Sequence, residues 1–306
     1  MKTVDLSVNI GKLKLNNPIL LASGTVGYGN EISDFIDLNI LGGIITKSIS
    51  LKPRKGNKPQ RIVETSSGML NAIGLANVGL EEFINEKVPF LAKYNVPIIC
   101  NIAASSIEEY VECVKVLNDE ETIKAFEINV SCPNVKDGGL QFGNNLSMVG
   151  KITEQVRSAT NKTIIMKLSP NVSYIAEFAK VCKENGADAV SAINTLVGTA
   201  FNINTRKPKL SNIFGGLSGP AIKPIALAKV LEIHRNVDIP IIGVGGIMNW
   251  QDVIEFMIAG ASAIQIGTLN FIDPTASLSI LKGLNNYCIE RNIESISQLT
   301  GSYILE

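Results

Sequence analysis

Two glycine-rich segments are the clearest candidates for chemistry in this sequence. Gly243-Val244-Gly245-Gly246-Ile247 follows one short apolar run, and Gly267-Thr268 follows the next run along the chain. Backbone N–H groups that no side chain obstructs, placed near helix N-termini, bind anions such as phosphate. The alternative is a pair of tight turns whose glycines only supply positive φ angles. Because the segments follow consecutive runs, we predict a phosphate-bearing ligand.

Lys47 and Lys167 each end an apolar run. An unpaired ammonium group is costly to desolvate there, so such a lysine either meets an anion or takes part in chemistry. Two functions fit: a Schiff-base lysine, or a cation that stabilises negative charge on a bound cofactor. Either residue could also extend to solvent at the rim of the fold.

Cys132 differs from the other four cysteines. Cys100 lies in an apolar run, and Cys113, Cys182 and Cys288 lie in stretches with helical spacing, where a buried cysteine behaves as a small hydrophobic residue. Cys132 follows a run and precedes a proline. A thiol near lysines and helix N-termini can act as a base or nucleophile, although no histidine is near enough in sequence to activate it.

Asparagines form a further group of candidate site residues: Asn71, Asn101, Asn129, Asn134 and Asn194. An amide offers one acceptor and two donor hydrogens, which suits a planar ligand with alternating C=O and N–H groups. A single loop asparagine more often forms a turn. Several of them at the ends of apolar runs favour a binding role.

Composition excludes several classes of protein. The 306 residues carry 28 Lys+Arg and 28 Asp+Glu, so there is no overall basic field to attract nucleic acid or anionic lipid. His234 is the only histidine and no CxxC pair occurs, which argues against Ser-His-Asp triads, metal sites and a disulfide framework. The N-terminus lacks an apolar targeting segment, so we expect a cytoplasmic protein with no membrane contact.

Short apolar runs alternate with stretches of helical spacing along the whole chain. Eight runs predict strands buried on both faces: 18–22, 43–46, 97–101, 125–130, 163–168, 187–193, 240–244 and 263–266. Eight stretches predict helices: 31–38, 80–94, 106–117, 146–160, 173–185, 223–235, 249–259 and 275–291. This alternation predicts an α/β fold, a (β/α)8 TIM barrel, as one domain over 1–306. A doubly wound sheet would have fewer strands and a glycine-rich loop after its first.

Two connections are too long for simple strand-to-helix loops: 47–79 and 195–219. We expect both to lie over the C-terminal face of the barrel, where barrel active sites are built, rather than to be surface loops without a role. Residues 1–15 are predicted to form a strand-like cap over the bottom of the barrel.

These motifs together resemble one enzyme family. The similarity to dihydroorotate dehydrogenases extends over nearly the whole chain, and these segments carry it: 46–47, 71–75, 129–134 with Gly138-Gly139, 167–170, 194–195, 215–219, 245–246 and 267–268. Cysteine at position 132, where other members have serine, resembles class 1. The segments ASGTVGYG and KPRKGNKPQRIVETSSGMLNAIGLANVG resemble class 1B.

The resemblance implies an FMN-dependent oxidation of dihydroorotate to orotate in pyrimidine biosynthesis. It implies three catalytic residues: Cys132, which takes the C5 proton while hydride passes from C6 to the flavin, Lys47 and Lys167. The implied FMN contacts are Ser23, Lys47, Ser48, Asn101, Asn129, Lys167, Ile193, Gly219, Gly245, Gly246, Gly267 and Thr268. The implied substrate contacts are Lys47, Asn71, Ala72, Ile73, Gly74, Leu75, Asn129, Asn134, Asn194 and Thr195.

The resemblance to class 1B also implies partners. The expected assembly is a homodimer within a heterotetramer, in which a second subunit carries FAD and a 2Fe-2S cluster and passes electrons to NAD. This chain has no cysteine cluster suited to iron–sulfur ligation, so the cluster is expected on that partner. Such docking predicts an exposed apolar patch near the flavin.

Four alternatives remain open at this point. A class 1A enzyme would use fumarate as acceptor, and a related flavin-dependent pyrimidine reductase would run the chemistry in the opposite direction. A flavin-free aldolase or isomerase would use Lys47 or Lys167. A non-catalytic metabolite-binding barrel would leave the many converging polar groups unexplained.

Overall fold

A closed barrel of eight parallel strands organises the chain. The computed structural model describes residues 4–131 and 142–305. Its strands are β1 (Val8–Ile10), β2 (Leu13–Leu15), β3 (Ile19–Leu21), β4 (Gly43–Ile45), β5 (Ile62–Thr65), β6 (Gly68–Asn71), β7 (Ile98–Ile102), β8 (Ile123–Asn129), β9 (Thr163–Lys167), β10 (Ala189–Ala192), β11 (Leu196–Thr199), β12 (Phe214–Ser218), β13 (Ile241–Val244) and β14 (Ala263–Ile266). The barrel order is β10-β13-β14-β3-β4-β7-β8-β9, which confirms the predicted (β/α)8 barrel.

The barrel strands form where the sequence has continuous apolar runs. Every residue of β3, β4 and β9 is buried, because one face of each strand lines the barrel interior and the other packs under helices. All eight predicted strands are present, with ends that differ from the predicted bounds by at most two residues. No helix of the described residues is long and apolar enough to cross a membrane.

Helices surround the barrel, and three of them begin at polar side-chain caps. They are α1 (Leu80–Glu82), continued by a π-helical turn (Phe83–Lys87) into α2 (Val88–Leu91), then α3 (Ile107–Asn118), α4 (Leu146–Ala159), α5 (Ile175–Glu184), α6 (Lys223–Asn236), α7 (Trp250–Ile258) and α8 (Ala276–Glu290). The Ser106 side chain accepts from the Glu109 N–H at the start of α3. Asn145 accepts from the Met148 N–H at the start of α4, and Asn249 accepts from the Asp252 N–H at the start of α7.

The helix predicted for 31–38 is wrong. That stretch consists of successive turns, followed by a 3-10 helix at Leu38–Ile40. Polar side chains bond to nearby backbone instead: Glu31 accepts from the Tyr28 N–H at 3.1 Å, and Asp37 accepts from the Asn39 N–H at 3.0 Å. Such local bonds compete with helical hydrogen bonds. The first strand is therefore followed by turns rather than by a helix.

The N-terminal segment caps the bottom of the barrel as predicted. β1 and β2 form an antiparallel hairpin in which Val8 pairs with Leu15. A Cβ at Gly11, in the hairpin turn, would lie 2.7 Å from the Cβ of Asp188, the residue just before β10. The hairpin turn thus packs against the end of the barrel where the strands begin.

The two long connections pair with each other above the opposite end. Their strands form a four-stranded antiparallel sheet in the order β11-β12-β6-β5. Gly216 of β12 pairs with Asn71 of β6, which joins the two connections directly. Both connections also line the cavity described below. The prediction that they lie over the C-terminal face is confirmed, and both contain regular structure.

Candidate active site

A cavity of about 380 Å³ opens at the C-terminal ends of the barrel strands. Most of the predicted site residues line it: Ser23, Lys47, Ser48, Asn71, Ile73, Gly74, Leu75, Asn129, Lys167, Ile193, Asn194, Thr195, Gly219, Gly245, Gly246, Gly267 and Thr268. Asn101 and Ala72 do not line it, and Cys132 and Asn134 lie outside the described residues. The volume falls within the range of small-molecule sites.

Glycines of three connections form one wall of this cavity. Gly219, Gly245 and Gly246 have φ angles of 92°, 133° and 74°. A Cβ at Gly246 would lie 2.8 Å from the Cβ of Lys223 and 2.9 Å from the Gly219 carbonyl oxygen, so the two loops touch with no room for a side chain. At Gly267 a Cβ would meet only Ala22, at 3.8 Å. The backbone is thus open to the cavity at Gly267 and tightly packed behind it at Gly246.

A hydroxyl pair joins the rims of the two loops. The Thr268 hydroxyl, just after β14, donates to the Ser218 hydroxyl, at the end of β12, over 2.8 Å. In barrels of this kind, phosphate is bound by the loops that follow the last two barrel strands. The loops around Gly246 and Gly267 have that position, and the hydroxyl pair lies beside them.

Two lysines supply positive charge to the cavity. Lys167, the last residue of β9, has a side chain only 7% exposed, and its Nζ lies 3.4 Å from Oε1 of Glu127. Lys47 follows β4 and is half-buried, with its N–H bonded to the Gly27 carbonyl at 2.8 Å. Both lysines line the cavity, so this wall favours an anionic or electron-rich ligand.

Amide side chains converge on the cavity from three directions. Oδ1 of Asn129 accepts from the Ser131 hydroxyl at 3.1 Å and faces Nδ2 of Asn194 at 3.4 Å. Nδ2 of Asn194 also donates to the Ser131 hydroxyl at 2.8 Å. Asn71 reaches the cavity from the antiparallel sheet, where its Nδ2 donates to the Gly216 carbonyl at 3.2 Å. The side chains are held in place by one another and by backbone.

Asn101 and Ala72 lie next to the cavity rather than in its wall. Asn101 is fully buried, and its Oδ1 accepts from the Ser48 hydroxyl at 2.6 Å. Ala72 is also fully buried, in a small apolar cluster with Leu70 and Leu210. Asn101 thus supports a cavity residue from below, while Ala72 belongs to the core of the antiparallel sheet.

Sequence reasoning missed Glu127, a buried acid at the base of the site. It occupies the middle of the β8 run with no exposed surface, and it contacts Lys167 and Asn101. The signal was present, since a carboxylate flanked by apolar residues within a buried strand requires buried partners. Other missed lining residues include Thr25, Met69, Ser218, Met248 and Phe271.

The described cysteines are unsuited to acid–base chemistry. Burial raises the thiol pKa of Cys100, Cys113 and Cys182 to about 12 and raises that of Cys288 as well. These thiols therefore stay protonated near neutral pH. Among residues 4–131 and 142–305, His, Cys, Asp and Glu side chains form no group of three that could hold a metal ion.

The cavity suits FMN by the chemistry of its walls. FMN carries a phosphate at one end and a planar ring with carbonyl and N–H groups at the other. The loops around Gly246 and Gly267 offer the phosphate donors, apolar walls at Ile193 and Val244 suit a planar ring, and Lys167 offers a cation. The residues present fit this cofactor.

Comparison with known proteins agrees with the geometry. The family described as "Dihydroorotate dehydrogenase" matches residues 5–288. A protein of Bacteroides fragilis named "Dihydroorotate dehydrogenase B (NAD(+)), catalytic subunit" is 51% identical over 298 residues, covering 97% of this chain and 98% of its own length. A protein of Pelobacter propionicus with the same name is 50% identical with the same coverage.

A solved structure supports the fold. The crystal structure of DHODH in complex with ferulenol from Eimeria tenella matches with a TM-score of 0.81 and 22% identity, covering 97% of this chain and 88% of that one. At that identity the likeness shows a shared fold. The family match and the two relatives cover nearly the whole sequence, and on that basis this chain belongs to the dihydroorotate dehydrogenase family.

Proposed function

We propose that this chain binds FMN in the cavity above the barrel and oxidises dihydroorotate to orotate for pyrimidine biosynthesis. One observation carries the proposal. The glycine loops after β13 and β14, two lysines and three asparagines from distant parts of the sequence line one cavity. Bound FMN supplies a hydride acceptor. An aldolase or isomerase would need no planar site next to the phosphate loops.

The roles of the lining residues follow from their chemistry. Backbone N–H groups near Gly246 and Gly267 bind the phosphate, and Lys167 stabilises negative charge on the ring. Asn71, Asn129 and Asn194 read the carbonyl and N–H groups of the pyrimidine. Lys47 offers a cation to the substrate carboxylate.

We assign the base to Cys132, by its motif rather than by geometry. It stands in Asn129-Val130-Ser131-Cys132-Pro133, the segment that resembles the class 1 motif. A thiolate there takes the C5 proton of dihydroorotate. General base catalysis contributes roughly 10²- to 10⁴-fold, so Cys132→Ala is expected to lose turnover by that factor and keep its FMN. Wild-type turnover in this variant would refute the assignment.

The visible spectrum of the purified protein tests the cofactor directly. The expected result is bound FMN, released by denaturation in about one equivalent per chain. Lys167→Met is expected to weaken FMN binding, while Lys229→Met, on the outer helix α6 where its ammonium bonds to the Ser173 carbonyl, serves as the matched control. A colourless protein that takes up no added FMN contradicts the proposal.

The electron acceptor is proposed to be NAD, reached through a second subunit. Support comes from relatives about 50% identical over nearly the full length whose names include "NAD(+)" and "catalytic subunit". We propose that the partner carries FAD and a 2Fe-2S cluster and that a homodimer of this chain forms the centre of a heterotetramer. Reduction of NAD by the co-purified complex, and not by this chain alone, is the expected result. Reduction of fumarate by the chain alone would indicate class 1A chemistry.

We further propose that 1–306 is a single domain that works in the cytoplasm. One large hydrophobic core runs from the β1–β2 hairpin through the barrel to α8, beside a small cluster under the antiparallel sheet. Cys100, Cys113, Cys182 and Cys288 are free thiols, as a reducing compartment maintains them. One cooperative unfolding transition, and recovery with the cytosolic fraction, are the expected results.

A further inference from the structure

A layer of buried polar side chains crosses the barrel directly below the cavity. Its centre is Glu127 of β8, which is fully buried. Four donors surround the carboxylate. Nδ2 of Asn101 lies 2.6 Å and Nζ of Lys167 lies 3.4 Å from Oε1, while the Ser191 hydroxyl lies 2.9 Å and Nε2 of Gln265 lies 2.5 Å from Oε2. Of these four donors only Lys167 carries a charge.

The strand register explains why these groups meet. Asn101 of β7 pairs with Glu127 of β8, and Ser191 of β10 pairs with Lys167 of β9. Lys167 itself pairs with Asn129, two residues beyond Glu127 on β8. Asn129 lines the cavity, and Lys167 both lines the cavity and reaches back to the Glu127 carboxylate, so it links the carboxylate to the site.

The carboxylate also fixes the polarity of Ser48. Nδ2 of Asn101 must face Glu127, because the amide oxygen would be repelled at 2.6 Å. Oδ1 of Asn101 therefore faces Ser48 and accepts its hydroxyl proton, over 2.6 Å. Because the Ser48 hydroxyl donates its proton to Asn101, its oxygen presents acceptor lone pairs to the cavity that it lines.

We propose that Glu127 is a positioning residue for the reaction. It does not line the cavity, and it holds Lys167 directly and Ser48 through Asn101 in the orientation that sets how strongly the site favours reduced over oxidised flavin. This inference rests on the proposed FMN site. The negative charge of Glu127 offsets the positive charge of the Lys167 ammonium, and this limits the positive potential at the ring. Removing the carboxylate charge leaves that ammonium uncompensated.

The test compares flavin midpoint potentials of the holoenzymes. Glu127→Gln keeps the side-chain volume and removes the charge. Reduced flavin, which carries more negative charge, is expected to bind at least tenfold more tightly relative to oxidised flavin, a rise of about 30 mV for a two-electron couple. Glu127→Asp keeps the charge and is expected to stay closer to wild type. The matched control is Asp188→Asn. Asp188 lies just before β10 and pairs with Arg157 at 2.9 Å, and loss of this pair is expected to leave the potential unchanged.

A second measurement needs no flavin. In the apoprotein, a double-mutant cycle of Glu127→Gln and Lys167→Met is expected to show coupling of at least tenfold in the unfolding equilibrium constant. Absence of coupling overturns the inference. Coupling with an unchanged potential in Glu127→Gln also overturns it, because Glu127 is then purely structural. If wild-type protein takes up no FMN, the proposed function itself fails and this inference with it, whereas FMN uptake with an unchanged potential refutes only the role of Glu127.

Discussion

Replacing single glycines of the phosphate loops separates packing from ligand contact. At Gly246 the backbone has a φ of 74°, and a Cβ would lie 2.8 Å from both the Cβ and the backbone N of Lys223. Left-handed backbone costs a residue with a Cβ about 1–2 kcal/mol. Overpacking of a tight contact adds about 1–3 kcal/mol. Gly246→Ala is therefore expected to destabilise the protein by about 2–5 kcal/mol.

Gly267→Ala is the matched comparison. The added Cβ has only Ala22 nearby, at 3.8 Å, and otherwise faces open space beside the cavity. Because no packed contact is overfilled at this position, the folded apoprotein is expected to lose less stability than Gly246→Ala does. The methyl group lies where the phosphate is proposed to approach. Loss of one hydrogen bond to a charged group, about 1.5–3 kcal/mol, weakens FMN binding roughly 10- to 150-fold.

Two assays distinguish the variants. In thermal unfolding of the apoproteins, the Tm of Gly246→Ala is expected to fall by about 4–10 °C, taking about 2 °C per kcal/mol for a large domain. The Tm of Gly267→Ala is expected to fall by less. FMN titration, followed by quenching of flavin fluorescence, is expected to show weaker binding in both. Wild-type FMN affinity in Gly267→Ala would refute the placement of the phosphate.

Two further predictions concern the cysteines and the long connection after β4. Iodoacetamide at pH 8 should leave Cys100 and Cys113 unmodified in the folded protein. Burial raises both thiol pKa values to about 12, so thiolate forms only as the pH approaches that value. Alkylation of either cysteine, found by peptide mass mapping, would contradict the burial. The Glu109 carboxylate pairs with Arg54 at 3.3 Å and accepts from the Ser105 N–H at 2.6 Å. Glu109→Gln removes its charge and is expected to lower the free energy of unfolding in urea by about 1–3 kcal/mol and to raise the KM for dihydroorotate. An unchanged KM would show that the start of this connection does not position the site.

Local pattern was enough to predict the barrel because its strands are continuous apolar runs, whose burial does not depend on which neighbour each strand finds. It was not enough for the antiparallel sheet. There Gly216 pairs with Asn71, a partner 145 positions away in the chain, and nothing local encodes that register. The stretch 31–38 failed for the opposite reason: the apolar spacing is helical, but side chains such as Asp37 bond to the adjacent backbone.

The site was predictable where residues follow strands, since the C-terminal ends of barrel strands converge. Gly246, Lys47 and Asn194 were found in this way and do line one cavity. Residues that act from inside a strand could not be predicted in this way. In the sequence, Glu127 is a carboxylate between two apolar residues, and only the closed barrel shows that its neighbours are donors from four other strands.

Stability alone does not account for the polar layer below the cavity. Transfer of a carboxylate and an ammonium to a protein interior costs several kcal/mol per ion, and buried pairs are often replaced by apolar residues with no loss of stability. The Glu127–Lys167 pair is also long, at 3.4 Å, and Oε1 of Gln265 is buried with no partner among the described residues. A barrel selected only to fold would fill this level with branched apolar side chains, as barrel interiors usually do. What the layer does provide is an oriented cation and an oriented hydroxyl directly beneath a cavity, so its polarity is explained by the site it supports.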